Sequence, residues 1–161
     1  MIELTKRLRE ELLKMICKTT HSPEETRQLA EKLASKVERG TVIAFFGDLG
    51  AGKTTFVSGL ARGLGIDADV HSPTFSLVNE YRGERNLFHF DMYRIESWED
   101  LYLTGFFEYY DAGEILACEW SENIENALPE NTIRITIKRG EEENERIITI
   151  EGSGEYENFE C

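Results

Sequence analysis

Thr41-Val42-Ile43-Ala44-Phe45-Phe46-Gly47-Asp48-Leu49-Gly50-Ala51-Gly52-Lys53-Thr54-Thr55 is the stretch on which the reading of this 161-residue chain turns. Its first six residues form a nearly continuous apolar run rich in β-formers. A strand buried on both faces of a parallel sheet reads this way. Gly47 to Thr54 then satisfy the pattern G-x-x-x-x-G-K-[ST]. Phe56, Val57, Leu60, Ala61 and Leu64 follow at helical spacing, and Gly65 ends that helix. Strand, glycine-rich loop and helix is the context a phosphate-binding loop needs. A helix start carries unpaired N–H groups and a partial positive charge. Glycines let the backbone curl so that successive N–H groups converge on phosphate oxygens. The residues expected at the phosphates are therefore Gly47, Asp48, Leu49, Gly50, Ala51, Gly52, Lys53, Thr54 and Thr55. Lys53 brings a mobile cation and Thr54 a hydroxyl for Mg²⁺. Asp48 is repelled by phosphate and is expected to point away or to bond to the loop itself. The competing reading is a plain glycine-rich turn with a solvent-facing lysine, and the flanking strand and helix count against it.

A nucleotide–Mg²⁺ site also needs a carboxylate at the end of a neighbouring strand. Asp91 closes Leu87-Phe88-His89-Phe90-Asp91, and Glu119 closes Ile115-Leu116-Ala117-Cys118-Glu119. Open α/β sheets bind ligands at such strand ends. Both acids are expected as metal-site or catalytic groups, one holding the metal and the other orienting water. His89 reads as a packed, hydrogen-bonded strand residue, and Arg94 as a surface arginine or a phosphate-charge stabiliser. Trp120 alone reads as packing at a strand end. The guanine reader N-K-x-D is missing, which favours ATP over GTP. Thr26 and the turn at 139–146 are candidate neighbours of the base.

Residues 1–13 are expected to be an N-terminal extension, with Leu4, Leu8 and Leu12 on one face of a short helix. Lys14 to Thr19 alternates as a strand. Ser22-Pro23-Glu24-Glu25 starts a helix with an N-cap, a proline in the first turn and a capping-box glutamate. Leu29, Ala30, Leu33, Ala34 and Val37 form its buried face, and Gly40 is its expected stop. Leu77 to Tyr81 and Asn86 to Met92 read as strands about a short turn. Ser97 caps a helix reaching Thr104. Asn131 to Ile137 and Arg146 to Ile150 pair as a hairpin. The domain is expected to span 14–151, with a loose acidic tail over 152–161. Alternating strands and helices followed by hairpins predict an α/β fold.

Charge narrows the classes. The net charge is −13, with 18 Lys+Arg against 31 Asp+Glu. Residues 1–94 are nearly neutral at +1, whereas residues 95–133 hold ten acids and no Lys or Arg. A balance of this sign argues against a protein whose whole surface grips nucleic acid or anionic lipid. No apolar run approaches the ~18 residues of a membrane span. Met1 to Arg7 lack the apolar centre of a signal peptide. Cys17, Cys118 and Cys161 are odd in number and share no metal-ligand spacing, so a reduced, cytoplasmic setting is expected.

Four blocks agree with one family: Gly47–Thr55, Ser72–Tyr81 (SPTFSLVNEY), His89–Arg94 (HFDMYR) and the pair Glu119-Trp120. Over residues 14–150 the sequence resembles the TsaE (YjeE) family, the small bacterial ATPases of tRNA threonylcarbamoyladenosine biosynthesis. Thr26 sits where that family has a threonine ahead of its first helix. The resemblance implies a P-loop nucleoside triphosphatase fold with a mixed, mainly parallel sheet flanked by helices. It implies weak ATP hydrolysis by the isolated protein, with ATP and Mg²⁺ as cofactors. The implied partners are the proteins that transfer threonylcarbamoyl to adenosine 37 of tRNA, a catalytic subunit and its non-catalytic paralogue-like partner, so that tRNA is met only indirectly. Lys53 and the loop amides would hold phosphate, Thr54 and Glu119 Mg²⁺, and Asp91 would take the second acidic role. Ser72-Pro73-Thr74-Phe75 is similar to the family's mobile switch beside the γ-phosphate, which places Ser72 and Thr74 at the nucleotide. Trp120 becomes an interaction or site residue. One departure is Ser121, where the family commonly has proline.

Two other functions fit the loop. A small-metabolite kinase shares its spacing, but such enzymes close an arginine-bearing lid, and residues 95–133 offer no basic side chain. A non-catalytic switch would use ATP only to order a docking loop.

Overall fold

Strands buried on both faces must alternate their side chains between two helical layers. The computed structural model describes Glu3 and residues 15–48, 50–73 and 76–152. Its elements are β1 (Met15–Thr20), α1 (Pro23–Ala34), β2 (Val42–Phe46), α2 (Lys53–Gly63), β3 (Val78–Tyr81), β4 (Leu87–Asp91), α3 (Trp98–Leu103), α4 (Phe106–Asp111), β5 (Ile115–Glu119), a 3₁₀ turn (Ser121–Ala127), β6 (Ile133–Arg139) and β7 (Arg146–Glu151). The strands form one sheet in the order β1-β7-β6-β2-β5-β4-β3. Its centre is parallel, with β2 between β6 and β5, and β4 beyond β5. The edges are antiparallel: β1 on β7, β7 on β6, and β3 on β4. The expected helix over residues 1–13 and the tail over 152–161 fall, apart from Glu3 and Gly152, outside the described residues.

The alternation sorts the core into two layers. Ile43, Phe45, Ile115, Ala117, Ile133 and Ile135 face Leu29, Leu33, Phe56 and Leu60 of α1 and α2. Val42, Leu116, Cys118, Phe88 and Phe90 face Leu101, Phe106 and Ile124 on the opposite side. Burial pushes the Cys118 thiol pKa well up, so it remains an inert core thiol.

The α1 start matches its sequence signals. Ser22 Oγ accepts from Glu25 N at 3.1 Å, and Glu25 Oε2 accepts from His21 N at 2.6 Å, a reciprocal cap. The helix ends at Ala34, six residues short of the expected stop at Gly40. Ser35 closes it instead, donating its hydroxyl to Lys32 O at 2.6 Å, while Val37 still packs into the core. Thr26 therefore lies in the first turn of α1 rather than ahead of it. Its hydroxyl sits 2.7 Å from that of Thr20, tying α1 to the end of β1.

Helices α1 and α2 approach so closely that glycine is required between them. A Cβ at Gly59 would lie 2.7 Å from Ala30 Cβ and 2.7 Å from Arg27 Cα. In an open helix, Gly→Ala stabilises by ~1 kcal/mol. Here the clash reverses the sign, and Gly59→Ala is expected to destabilise by about 1–3 kcal/mol. A lowered urea midpoint at unchanged slope would bear this out; a raised midpoint would contradict the packing.

Helix α4 was not expected. Phe106-Phe107-Glu108-Tyr109-Tyr110-Asp111 is aromatic on every face and carries no amphipathic period. It folds because Phe106 and Tyr109 pack on Phe90 and Phe88, so tertiary contact overrides weak helix propensity.

Candidate functional site

Register decides which side chains meet at the strand ends. Leu87, His89 and Asp91 share one face of β4, and Ile115, Ala117 and Glu119 share the same face of β5. The parallel pairing sets His89 beside Ala117 and Asp91 beside Glu119. This is the α1–α2 side of the sheet, where β2 delivers the glycine-rich loop. Glu119 is 5% exposed. Its Oε1 accepts from Thr54 Oγ1 at 3.2 Å, and its Oε2 accepts from Ser72 Oγ at 3.2 Å and lies 2.7 Å from His89 Nε2. Burial opposes ionisation of this carboxyl, but the hydrogen bond and charge of His89, the Thr54 hydroxyl and the Lys53 ammonium outweigh it. Its pKa is held below the usual carboxylate range.

The loop itself is shaped by glycines with positive φ. Gly47, Gly50 and Gly52 have φ of 139°, 74° and 107°. At Gly47 a Cβ would drive into the carbonyl of Ile137, and at Gly50 it would lie 2.6 Å from the Arg139 guanidinium. Gly52 forms the N-terminal boundary of α2 without any side-chain cap, so the first N–H groups of that helix are left for a ligand. Lys53 is buried. Its Nζ donates to Gly47 O at 2.8 Å and lies 4.1 Å from the centroid of the Trp120 ring. Two arginines of the β6–β7 hairpin brace the loop: Arg146 Nε donates to Ala51 O at 2.9 Å and Arg139 to Gly50 O at 3.4 Å.

Among the described residues, Leu77 and Trp120 are the non-glycine positions with positive φ, at 60° and 57°. Each conformation costs on the order of 1–3 kcal/mol, and such strain gathers at functional sites. Both flank this site. Leu77 closes the segment that begins at Ser72, and Trp120 follows Glu119. Trp120 packs against Tyr93 with centroids 5.0 Å apart.

The structure thus brings together Lys53, Thr54, Ser72, Glu119 and Trp120 around the loop, with Asp91 on the neighbouring strand. Asp91 Oδ1 accepts from Tyr93 N at 2.9 Å and holds the turn that follows β4. Asp48 is exposed, and its backbone carbonyl accepts from Ala51 N at 3.1 Å. Thr26, Thr55 and Gly52 line a separate small hollow with Pro23, Asn144 and Arg146. Arg94 is exposed. Leu49, Thr74 and Phe75 lie outside the described residues. Ser121 is buried and donates to Cys118 O at 2.7 Å.

His89 is packed and hydrogen-bonded, as its place on an apolar strand implies, and what the sequence left unnamed was its partner. The imidazole is fully buried and its Nδ1 has no hydrogen-bond partner, so its polar contact is with Glu119. The signal was its parity with Asp91 on one strand. The bracing by Arg139 and Arg146 left no local signal, because it spans some 90 residues of chain.

Residues 20–148 match the family model described as "Threonylcarbamoyl adenosine biosynthesis protein TsaE". A relative from Bacillus subtilis, the tRNA threonylcarbamoyladenosine biosynthesis protein TsaE, is 44% identical over 83% of this chain and 85% of its own length. The protein of the same name from Treponema pallidum is 38% identical over 74% of this chain and 88% of its own. The crystal structure of Bacillus subtilis YdiB superposes with a TM-score of 0.74 at 38% identity, covering 88% of this chain and 87% of that one. With a family model running from β1 to β7, and these relatives sharing most of its length, the chain belongs to the TsaE family.

Proposed function

We propose that this chain is an ATPase of tRNA threonylcarbamoyladenosine biosynthesis, which binds ATP with Mg²⁺ and uses its nucleotide cycle to drive or reset a threonylcarbamoyl-transferring partner complex. The observation that carries this reading is the bond from Thr54, at the start of α2, to the ionised Glu119 at the end of β5. It joins a phosphate loop to a carboxylate, the pair of features that ATP with Mg²⁺ requires.

The residues fit both groups. Uncapped amides at the α2 start and the Lys53 ammonium suit an anion. The Thr54 hydroxyl and the Glu119 carboxylate are the oxygen donors a hard cation takes. When bound, Mg²⁺ neutralises charge on the phosphate oxygens. Lys53 adds a cation to the β and γ phosphates, and the Trp120 face keeps that ammonium out of bulk water. His89 and Ser72 orient the Glu119 carboxylate. Asp91 takes the second acidic role beside it. Thr26, Thr55, Asn144 and Arg146 offer a polar hollow to the nucleoside end. Ser72 reports on the phosphates through its bond to Glu119, as the first residue of the switch segment that includes Thr74. The acidic surface fits a subunit that meets tRNA only through its partners, a catalytic subunit and its non-catalytic paralogue-like companion.

Single-turnover hydrolysis of radiolabelled ATP, with and without those partners, tests this. Slow release of free phosphate that accelerates with partners is the expected result. No turnover in either condition would favour an ATP-gated binding module, and phosphate transferred to an acceptor would favour a kinase.

A further inference from the structure

The face built by α3, α4 and the 3₁₀ turn is apolar where it is exposed and acidic around its rim. Trp98, Tyr102 and Leu103 are 60%, 65% and 81% exposed. Trp98 and Tyr102 lean on the partly buried Phe107, with ring centroids 6.2 and 6.5 Å away. Beside them runs a groove floored by Ile95, Leu101, Ile124 and Ala127 and edged by Glu96 and Glu122. An apolar surface held out in water beside acids marks an interaction site rather than a solvated face.

Charge selects the occupant. Residues 95–133 carry ten acids and no Lys or Arg. Among the described residues Glu125 is paired with Arg134, whereas Glu96, Glu99 and Glu122 form no ion pair. RNA is repelled by such a field, and so is a second copy bringing the same acidic face. We propose that this face docks a basic segment of a partner protein, whose arginine or lysine side chains pair with Glu96, Glu99 and Glu122 while an arginine plane or apolar side chain stacks on Trp98. The partner assignment, a component of the threonylcarbamoyl-transferring machinery, rests on the function proposed above.

The face is also wired to the nucleotide site. Asn123, in the groove wall, donates to Met92 O at 3.0 Å and Tyr93 O at 3.1 Å. Tyr93 packs on Trp120, and Trp120 covers Lys53. A partner seated in the groove therefore presses on the turn that follows Asp91.

The test is titration of the purified transferring complex with the wild-type chain and with two double variants, Trp98→Ala/Leu103→Ser and Glu96→Lys/Glu122→Lys. Binding of mant-ATP to each chain is measured alongside. The first variant is expected to weaken the complex about tenfold or more with mant-ATP affinity unchanged. The second should weaken it and flatten its salt dependence. Wild-type binding that both variants retain in full overturns the docking face alone. A wild-type chain that does not bind the complex overturns the partner assignment, and this proposal with it. A wild-type dimer in sedimentation that Trp98→Ala/Leu103→Ser renders monomeric overturns it in favour of self-association.

Discussion

Glu119→Gln is expected to leave ATP binding within several-fold of wild type while lowering Mg²⁺-dependent hydrolysis by roughly a hundredfold. The substitution keeps the volume of the side chain and removes its charge. Thr54, Ser72 and His89 all aim donors at this carboxylate, and an amide cannot accept from them at both ends. With the amide oxygen toward Thr54, the NH₂ faces both Ser72 and His89, and His89 would then need its proton on Nδ1, which has no partner; with the oxygen toward Ser72 and His89, the NH₂ faces Thr54, whose hydroxyl must turn to accept. In either orientation charge-assisted hydrogen bonds become neutral ones, at about 1–2 kcal/mol of stability. The acid limb of the stability profile should change as well. The Glu119 pKa is depressed in the folded chain. Its contribution is thus complete above the ordinary carboxylate value of about 4.3 and is lost as pH falls through the lower folded value. Acid titration of unfolding, wild type against Glu119→Gln, should show a shallower loss in the variant. Parallel acid limbs would mean that Glu119 is not the stabilised carboxylate.

Lys53→Ala is expected to weaken ATP binding by about a hundredfold, because it removes a charge-assisted contact to phosphate from a partly dry site. The fold should survive. The lysine ammonium lies over the Trp120 ring and satisfies Gly47 O, so truncation should lower stability by only about 1 kcal/mol. Equilibrium binding of mant-ATP and a thermal melt on the same sample separate the two effects. Unchanged nucleotide affinity would remove Lys53 from the site.

What the sequence disclosed was local. Strand β2, the loop and α2 are consecutive, so period and glycine spacing could be read directly. Asp91 and Glu119 stand out because each closes an apolar run. Their placement side by side needed the β4–β5 register, which no local pattern carries. His89 reads as packed and hydrogen-bonded, but its partner is not legible because it lies 30 residues away. Helix α4 was hidden by a run of aromatics whose helical state is imposed by Phe88 and Phe90. The exposed aromatic face was equally hidden, since the acids of 95–133 could be counted but not seen to rim a groove. The early end of α1 at Ala34 reflects a serine cap that competes with the more obvious glycine.

Reconstituted tRNA modification shows whether the nucleotide cycle of this loop sustains threonylcarbamoylation. Purified transferring proteins, tRNA, threonylcarbamoyl donor and ATP are combined with the wild-type chain or with Lys53→Ala, and threonylcarbamoyladenosine is quantified by mass spectrometry over many turnovers. The wild-type chain is predicted to sustain modification and Lys53→Ala to leave it near the level without the chain. Full modification supported by Lys53→Ala would contradict a function carried by the nucleotide cycle of this loop.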